Sequence, residues 1–358
     1  MNVYRRVTPL IVVLLLTVLF VGVVTIHPTI STAAPFPLEG TALKYKGVNY
    51  VANAYNEPNA YASADSNSSL NALKSTGANY VALTVTWELA THASNAVYSD
   101  PKDTPTDAAL ITAINGIHAR GMGVMLKLML DSGDKTDLVA PTNPAAWFAC
   151  YATMCNHYAQ IAQDHGVELF CIGTELSPLD TSNYSLWSTL ISGVRAIYHG
   201  PLTYAAFSSY ARIPFWGLLD YAGIDPYFPL SNAKTPSVAD CVAGWSSYND
   251  SGTVRNWLQE IETWQATVNK PVIFTELGYG SHDYAAKSPG SAPVGPYNGL
   301  GQANCYKAAL RVFANKPWFA GIFWFAWSSD PKAGGAGDNG FSPQNKPAQS
   351  VLTANWLP

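Results

Sequence analysis

Two glutamates stand where two strongly apolar segments end, and this position suits acid-base chemistry. Glu175 follows the sequence FCIGT, and Glu276 follows the sequence VIFT. Burying a carboxylate is costly unless it is paired or hydrogen-bonded, so two such residues in matching positions indicate a functional role. Hydrolysis of a glycosidic bond needs one protonated acid and one ionised carboxylate, and configuration is retained when the two are about 5 Å apart.

An alternative interpretation is that each glutamate only makes a buried salt bridge. Lys127 lies within a neighbouring apolar segment and is the most plausible partner. It would either balance the charge of these carboxylates or contact a substrate directly, and the sequence leaves both roles open. A matched pair favours the functional interpretation over the structural one.

The segments around these residues alternate between short apolar runs and amphipathic or capped stretches, which is typical of βα units with a parallel sheet. The predicted strands are Tyr45–Val51, Tyr80–Trp87, Gly123–Asp131, Leu169–Leu176, Leu202–Ala206, Tyr221–Phe228, Pro271–Tyr279 and Gly321–Ser328. The predicted helices are Ser68–Thr76, Thr106–Arg120, Pro144–Asp164, Asn183–Tyr198, Thr253–Val268, Tyr297–Asn315 and Lys346–Asn355, with a weak link of about two turns at Arg212–Leu219. The pattern predicts an α/β protein, a single (β/α)8 TIM barrel over residues 44–358.

Glycines mark the ends of several predicted helices. Gly77, Gly121 and Gly166 each follow a helical stretch and precede a strand within a few residues. Glycine is the residue most often found just past the end of a helix. This punctuation supports the assignment of the βα units.

Polar and aromatic residues gather at the carboxyl ends of the predicted strands. In a barrel these ends converge on one face, which carries the active site in essentially every characterised barrel enzyme. The residues concerned, besides the two glutamates, are Asn49, Tyr50, Trp87, Asp131, Thr174, Asp225, Tyr227, Trp324 and Trp327.

Several motifs resemble glycoside hydrolase family 113. They read IGTEL, GIDPYFPL, PVIFTELGY, GIFWFAW and SPQNKPA, and the resemblance extends from Tyr45 to the last predicted helix. It implies a retaining barrel enzyme with the acid/base on strand four at Glu175 and the nucleophile on strand seven at Glu276. Known members are chiefly endo-β-1,4-mannanases, so β-mannan is the expected substrate. The same machinery acting on another β-glycan or oligosaccharide, or an inactive carbohydrate-binding barrel, are the alternatives.

The residue before the acid/base departs from the wider clan of retaining barrels. In that clan the residue is usually an Asn that hydrogen-bonds the sugar 2-hydroxyl, but this chain has Thr174. Family 113 shares this departure. Since mannose has an axial 2-hydroxyl, we expect a different donor to suit it.

Supporting roles follow from position. Tyr227 is expected to donate its phenol to Glu276, as a strand-six Tyr does in several clan members. One of Trp324 and Trp327 is expected to form the floor of the central sugar subsite, and the other to fill the core.

The remaining strand-end residues are expected around the cleft. Trp87, Asn49 and Tyr50 would line it. Asp131 would bind sugar hydroxyls or pair with the nearby lysine, and Asp225 would brace the turn at Pro226 or, less favourably, contact substrate.

The whole chain of 358 residues, with 20 Lys and Arg against 24 Asp and Glu, has a net charge of −4. Nucleic-acid binding relies on clustered Lys and Arg, so nucleic acid is excluded as a partner. The histidines are dispersed and lack the spacing of metal ligands, so no metal is predicted. The sequence has neither a serine-hydrolase elbow nor a phosphate-binding loop, and no cofactor is predicted. We expect a monomer.

The N-terminal segment predicts export. Arg5 and Arg6 precede an apolar run over 10–26 and small residues at 31–34, which is typical of a signal peptide over residues 1–34, followed by a short linker over 35–43. The protein is therefore expected to be secreted, and an uncleaved membrane anchor is the alternative.

The five cysteines predict neither a disulfide scaffold nor a zinc site. Cys150 and Cys155 share one helix and would bridge only with distortion, whereas Cys241 and Cys305 would bridge more easily. Cys171 is expected to be a free, buried thiol.

Overall fold

The computed structural model describes residues 43–52, 57–134 and 138–357. Eight parallel strands close into a barrel in which each strand pairs with its sequence neighbours, and the last strand pairs with the first. The strands are β1 (Tyr45–Val51), β2 (Tyr80–Leu89), β3 (Gly123–Ser132), β4 (Leu169–Thr174), β5 (Leu202–Ala206), β6 (Ala222–Ile224), β7 (Val272–Leu277) and β8 (Phe319–Ser328). The predicted (β/α)8 fold is confirmed.

Helices surround this barrel, and most begin at a side chain that accepts a hydrogen bond from a backbone N–H of the first turn. They are α1 (Ala64–Lys74), α2 (Asp107–His118), α3 (Pro144–Asp164), α4 (Tyr184–Ile197), α5 (Val238–Ser246), α6 (Trp257–Val268), α7 (Gly299–Phe313) and α8 (Pro347–Trp356). The capping side chains are Ser63, Thr106, Asn143, Ser237, Asn256 and Asn298. Gly77, Gly121 and Gly166 follow helices with positive φ, as expected of helix-ending glycines.

The connection between β6 and β7 differs from the prediction. Helix α5 was missed, although Ser237 and Asp240 form a capping box at its start. The predicted helix from Thr253 begins instead at Trp257, because Tyr248–Asp250 pairs with Thr253–Arg255 as an antiparallel hairpin. Strand β6 is also shorter than predicted.

The weak link after β5 is confirmed as irregular. It holds two single 3-10 turns, Tyr210–Arg212 and Trp216–Leu218, in place of a helix.

Two apolar layers organise the interior. A large cluster fills the space between strands and helices, and a small one fills the barrel itself. The small cluster contains Tyr45, Ala82, Met125, Leu169, Cys171, Ala205, Ile273, Ala320 and Phe323. The next inward-facing positions along the strands therefore lie above an apolar floor, at the mouth of the barrel.

All five cysteines are free thiols in the structure. Cys171 is fully buried, as predicted. Cys150 contacts the backbone of Val97 and is not bridged to its helix neighbour. The sulfur atoms of Cys241 and Cys305, on α5 and α7, lie 3.6 Å apart.

The predicted export segment, residues 1–34, lies outside the described residues. Within the part of the chain that the structure describes, no helix combines the length and the apolar character needed to cross a membrane.

Candidate active site

A one-residue bulge aims Glu276 into the barrel mouth. Phe274 pairs with Ile322 and Leu277 with Trp324, so β7 has one more residue than β8 between these two pairs. Phe274 packs on the helix layer and Leu277 lies in the outer apolar cluster. The extra residue lets the side chain of Glu276 turn inward, and bulges commonly re-aim side chains next to active sites.

Strand β4 carries a similar irregularity just before Glu175. Cys171 pairs with Thr203 and Thr174 with Ala205, which again leaves one extra residue. Glu175 then adopts φ 53°, in the left-handed region, while its backbone N–H donates to the oxygen of Ala205 at 2.8 Å. Non-glycine residues in this region cluster at functional sites, where the surrounding structure holds the strain.

A buried network holds the chain directly after Glu175. The backbone N–H of Leu176 donates to the Tyr204 hydroxyl at 2.7 Å, and this hydroxyl donates to Oδ2 of Asp180 at 3.1 Å. Ser209 donates to the same oxygen at 2.7 Å. Burial raises the pKa of Asp180, against these hydrogen bonds. No pattern in the sequence indicates this support.

Both oxygens of Glu276 are held by described side chains. The ammonium of Lys127 lies 2.5 Å from Oε1, and the Tyr227 hydroxyl donates to Oε2 at 2.9 Å. Burial lowers the pKa of Lys127, but its attraction to Glu276 and Asp225 outweighs burial and leaves that pKa raised. Burial, followed by the charge of Glu276, raises the pKa of Tyr227 well above its ordinary value. The predicted contacts of Lys127 and Tyr227 are both present.

Asp225 adds a third carboxylate. It is fully buried, and Thr275 donates its hydroxyl to Oδ1 at 2.6 Å. One carboxylate oxygen each from Glu175, Asp225 and Glu276 lie within 4.8 Å of one another. Burial raises the pKa of Asp225 to about 7, although the charge of Lys127 opposes this. Its burial favours the predicted bracing role over contact with substrate.

These three carboxylates are close enough together to hold a cation. The ammonium of Lys127 already lies against Glu276, so the protein supplies a positive charge of its own at this point.

The tryptophans of β8 do not face the cleft. Trp324 stacks on Tyr306 of α7 with ring centroids 3.8 Å apart, and Trp327 donates its indole N–H to Ser69 at 2.9 Å. Both are fully buried. The prediction that one of them forms the sugar floor is therefore wrong, because both point outward to the helices.

Phe325, between these tryptophans, is the aromatic residue of β8 that keeps partial exposure. Phe323, two residues earlier, belongs to the cluster inside the barrel. Since alternate residues of a strand share a face, Phe325 lies at the mouth, one layer above Phe323. Phe207 after β5, also partly exposed, stands edge-on to Tyr227 with centroids 6.4 Å apart. Neither phenylalanine was predicted, although the alternation of inward and outward residues along β8, applied from Phe323, would have identified Phe325.

Two residues of β1 were wrongly expected to line the cleft. Asn49 is fully buried, and its amide donates to the backbone oxygens of Thr275 and Phe323 while its oxygen accepts from Lys127 at 3.3 Å. Tyr50 points the other way, and its hydroxyl bonds to Ser66 of α1. Asn49 therefore supports the lysine from beneath, and Tyr50 belongs to the outer core.

The other strand-end residues vary in their contact with the cleft. Trp87 is half-buried and donates its indole N–H to Tyr158 of α3 at 3.0 Å, on the helix side of β2. Thr174 is buried and donates its hydroxyl to the backbone oxygen of Leu128, so this proton is not free for a sugar. Asp131 is half-buried at the end of β3 and accepts from the N–H of the next residue.

Comparison with known proteins assigns the chain to a family. The model of glycoside hydrolase family 113 matches residues 51–346. No curated protein matches the chain by sequence.

Solved structures of the same fold include a family 113 β-mannanase from Alicyclobacillus acidocaldarius, at 21% identity and TM-score 0.74, which covers 89% of this chain and 98% of that one. A second family 113 β-1,4-mannanase complex has 21% identity and TM-score 0.72, and covers 87% and 98%. The β-glucuronidase of Faecalibacterium prausnitzii is more distant, at 17% identity and TM-score 0.54, and covers 89% of this chain and 50% of its own.

Proposed function

Since the chain belongs to glycoside hydrolase family 113, we propose that it is a retaining endo-β-1,4-mannanase with Glu175 as acid/base and Glu276 as nucleophile. The observation that carries this proposal is the approach of the two carboxylates, whose oxygens lie within 4.8 Å in the barrel mouth. This separation suits a retaining mechanism, since inverting enzymes keep their carboxyl groups roughly 6.5 to 9.5 Å apart to admit a water molecule.

The surroundings of the two glutamates support their different roles. Glu276 is nearly buried and contacts both an ammonium and a phenol, which favour its ionised form as a nucleophile requires. Glu175 is more exposed, at the edge of the mouth, where a leaving oxygen and later a water molecule have access to it.

The reaction proceeds in two displacements. An oxygen of Glu276 forms a bond to the anomeric carbon while the glycosidic bond breaks, and Glu175 gives its proton to the departing oxygen. Glu175, now a carboxylate, takes a proton from water as that water attacks the anomeric carbon and releases Glu276. Both glutamates return to their starting states. Tyr227 and Lys127 keep the Glu276 oxygens in place through both steps.

The choice of β-mannan rests on the family and on the β-mannanases of the same fold. Phe325 and Phe207 supply apolar surfaces at the mouth on which a sugar ring could stack. The same carboxylates would serve another β-glycan equally well, because fold and catalytic pair do not set the sugar.

The test is hydrolysis of mannan, glucomannan, xylan and cellulose with product sizing. Glu276→Ala should abolish release of reducing sugar, and azide should restore turnover with an inverted glycosyl azide as product. Glu262→Ala is the matched control, since Glu262 lies on α6 and pairs with Lys316 at the surface. Full activity of Glu276→Ala would overturn the assignment of the nucleophile. Binding of glycans without hydrolysis of any of them would favour a carbohydrate-binding barrel.

We further propose that the protein is exported. The support is the sequence of the first residues, with Arg5 and Arg6 before a long apolar run. Sequencing the N-terminus of protein recovered from the medium should find a start near residue 34. An intact N-terminus in the membrane fraction would favour an anchor instead.

A further inference from the structure

Asp225 occupies an unusual place in the site, because it is a buried carboxylate that touches no solvent. Its Oδ1 accepts the hydroxyl proton of Thr275. Its Oδ2 is also buried, and within the described ranges no amide, alcohol, phenol or ammonium group donates to it. Leaving such an oxygen without a donor is costly, so a proton on a neighbouring carboxyl would relieve that cost.

The charges around Asp225 require such a proton. Lys127 balances Glu276, and this leaves Asp225 and Glu175 as two carboxylates whose oxygens are within 4.8 Å. Two carboxyl groups this close in a poorly solvated site resist ionising together, and the pair retains one proton over a wide pH range.

We propose that Asp225 is a positioning residue that retains the acid proton of Glu175, with the two side chains sharing one proton in the resting enzyme. This inference rests on the proposed function, since it gives that proton a use. In the resting state Glu175 donates to Asp225. Asp225 itself touches no reacting atom.

The electrostatic environment of Asp225 agrees with this geometry. Burial and the charge of Glu276 raise its pKa, while the charge of Lys127 and hydrogen bonds from Thr275 and Glu175 lower it, and the net result is a pKa of about 7. The titratable groups that face it lie on four strands or in the segments directly after them. They are Lys127 on β3, Cys171 on β4, Glu175 directly after β4, Tyr227 after β6 and Glu276 on β7.

The shared proton would serve both steps of the reaction. In the resting site Lys127 carries +1, Glu276 and Asp225 carry −1 each, and Glu175 is neutral. After the first step Glu276 is a neutral ester and Glu175 has lost its proton, so the site still carries −1. The carboxylate of Glu175 now faces the carboxylate of Asp225. Their repulsion makes Glu175 a stronger base for water.

The experiment compares the pH dependence of kcat/KM for the wild type and Asp225→Asn on soluble mannan. Removing the negative charge should let Glu175 lose its proton more easily, so the alkaline limb should move to lower pH by roughly 1 to 3 units. Asp220→Asn is the control, because it makes the same change at an aspartate that pairs with Arg195 at the surface, and its alkaline limb should stay in place. A lower kcat with an unmoved limb in Asp225→Asn would show a merely structural role and overturn the inference.

A second measurement does not depend on activity. Carbon-13 NMR of proteins labelled at the aspartate carboxyl carbons follows the titration of Asp225 directly. In the wild type this signal should titrate in two steps, and in Glu175→Gln the step at higher pH should vanish. Identical curves in the two proteins would overturn the inference, and this comparison holds even where Asp225→Asn does not fold. A wild type that hydrolyses no mannan would defeat the proposed function alone, and the NMR titration would still decide the shared proton.

Discussion

Lys127 provides the sharpest test of how the site controls the charge of Glu276. The substitution Lys127→Met removes the ammonium but keeps an unbranched side chain of similar length. Lys127 is fully buried, and its ammonium contacts Glu276 at 2.5 Å and Asn49 at 3.3 Å. The variant therefore leaves the carboxylate of Glu276 buried without its cation.

The size of the effect follows from the distance. Two unit charges 2.5 Å apart attract by about 7 kcal/mol at an effective dielectric constant near 20. Desolvation of both groups offsets part of this, and breaking a buried pair by removing one partner costs roughly 3 to 5 kcal/mol. A Glu276 deprived of Lys127 avoids that cost by taking up a proton. At about 1.36 kcal/mol per pH unit, the acidic limb of the kcat/KM profile should therefore move to higher pH by about 2 to 4 units.

The assay combines thermal unfolding with pH profiles on soluble mannan. Lys346→Met is the matched control, because Lys346 is an equally buried lysine whose ammonium donates to Ser281 and to the backbone oxygen of Gly340. Both variants should unfold at lower temperature, but the acidic limb should move only in Lys127→Met. An acidic limb that stays in place in Lys127→Met would refute the view that this ammonium keeps Glu276 ionised.

Three further predictions follow from single contacts. Tyr227→Phe removes the hydrogen bond to Oε2 of Glu276, so kcat/KM should fall roughly 10- to 100-fold; an unchanged rate would contradict a role for the phenol. Burial lowers the pKa of Lys346 to about 8, so as the pH rises the ammonium loses its proton at a lower pH in the folded state than in the unfolded state. The free energy of unfolding should therefore rise between about pH 8 and 10.5 in the wild type, but not in Lys346→Met. Since the thiols of Cys241 and Cys305 are 3.6 Å apart, mild oxidation should lower the number of thiols titrated in the denatured wild type by two and leave that of Cys241→Ser unchanged. A wild-type thiol count that is the same before and after oxidation would disprove the bridge.

The barrel and its two strand-end glutamates were predictable because a parallel barrel leaves little freedom in where its strand ends meet. Lys127 was predictable too, since a lone lysine within an apolar strand must find a carboxylate. The contact between Tyr227 and Glu276 was predictable from the place of Tyr227 shortly after β6, and this contact is present in the structure.

The aromatic floor was not predictable by the same means. Strand residues alternate between the two faces, so an assignment that slips by one residue exchanges the barrel mouth for the helix layer. Trp324 and Trp327 are three residues apart, and the register between β1 and β8 shifts across this region, so both lie in the helix layer. Phe325 retains the exposure that was assigned to them. Size and residue type favoured tryptophan as the aromatic floor, but the alternation of residues along β8 determines which side chain faces the barrel mouth.

The hairpin before α6 was missed for a local reason. Ser251 and Gly252 both adopt positive φ, and Asn256 caps the helix only three residues after the second strand begins. The helical pattern of the sequence extends from α6 towards the N-terminus as far as Thr253 without a break. The start of the helix is therefore set by the geometry of the hairpin turn and not by hydrophobicity.

The different roles proposed for two chemically identical side chains agree with their different burial and with the bulges that precede them. Glu276 follows a bulge within β7 and lies nearly buried, in contact with an ammonium and a phenol. Glu175 follows a bulge at the very end of β4, adopts a left-handed backbone, and emerges at the more solvated edge beside Asp225. A carboxylate beside a buried cation retains its charge, whereas one beside another carboxylate retains a proton. The proposed roles, Glu276 as nucleophile and Glu175 as acid, therefore follow from two contacts: Glu276 lies against Lys127, and Glu175 lies beside Asp225.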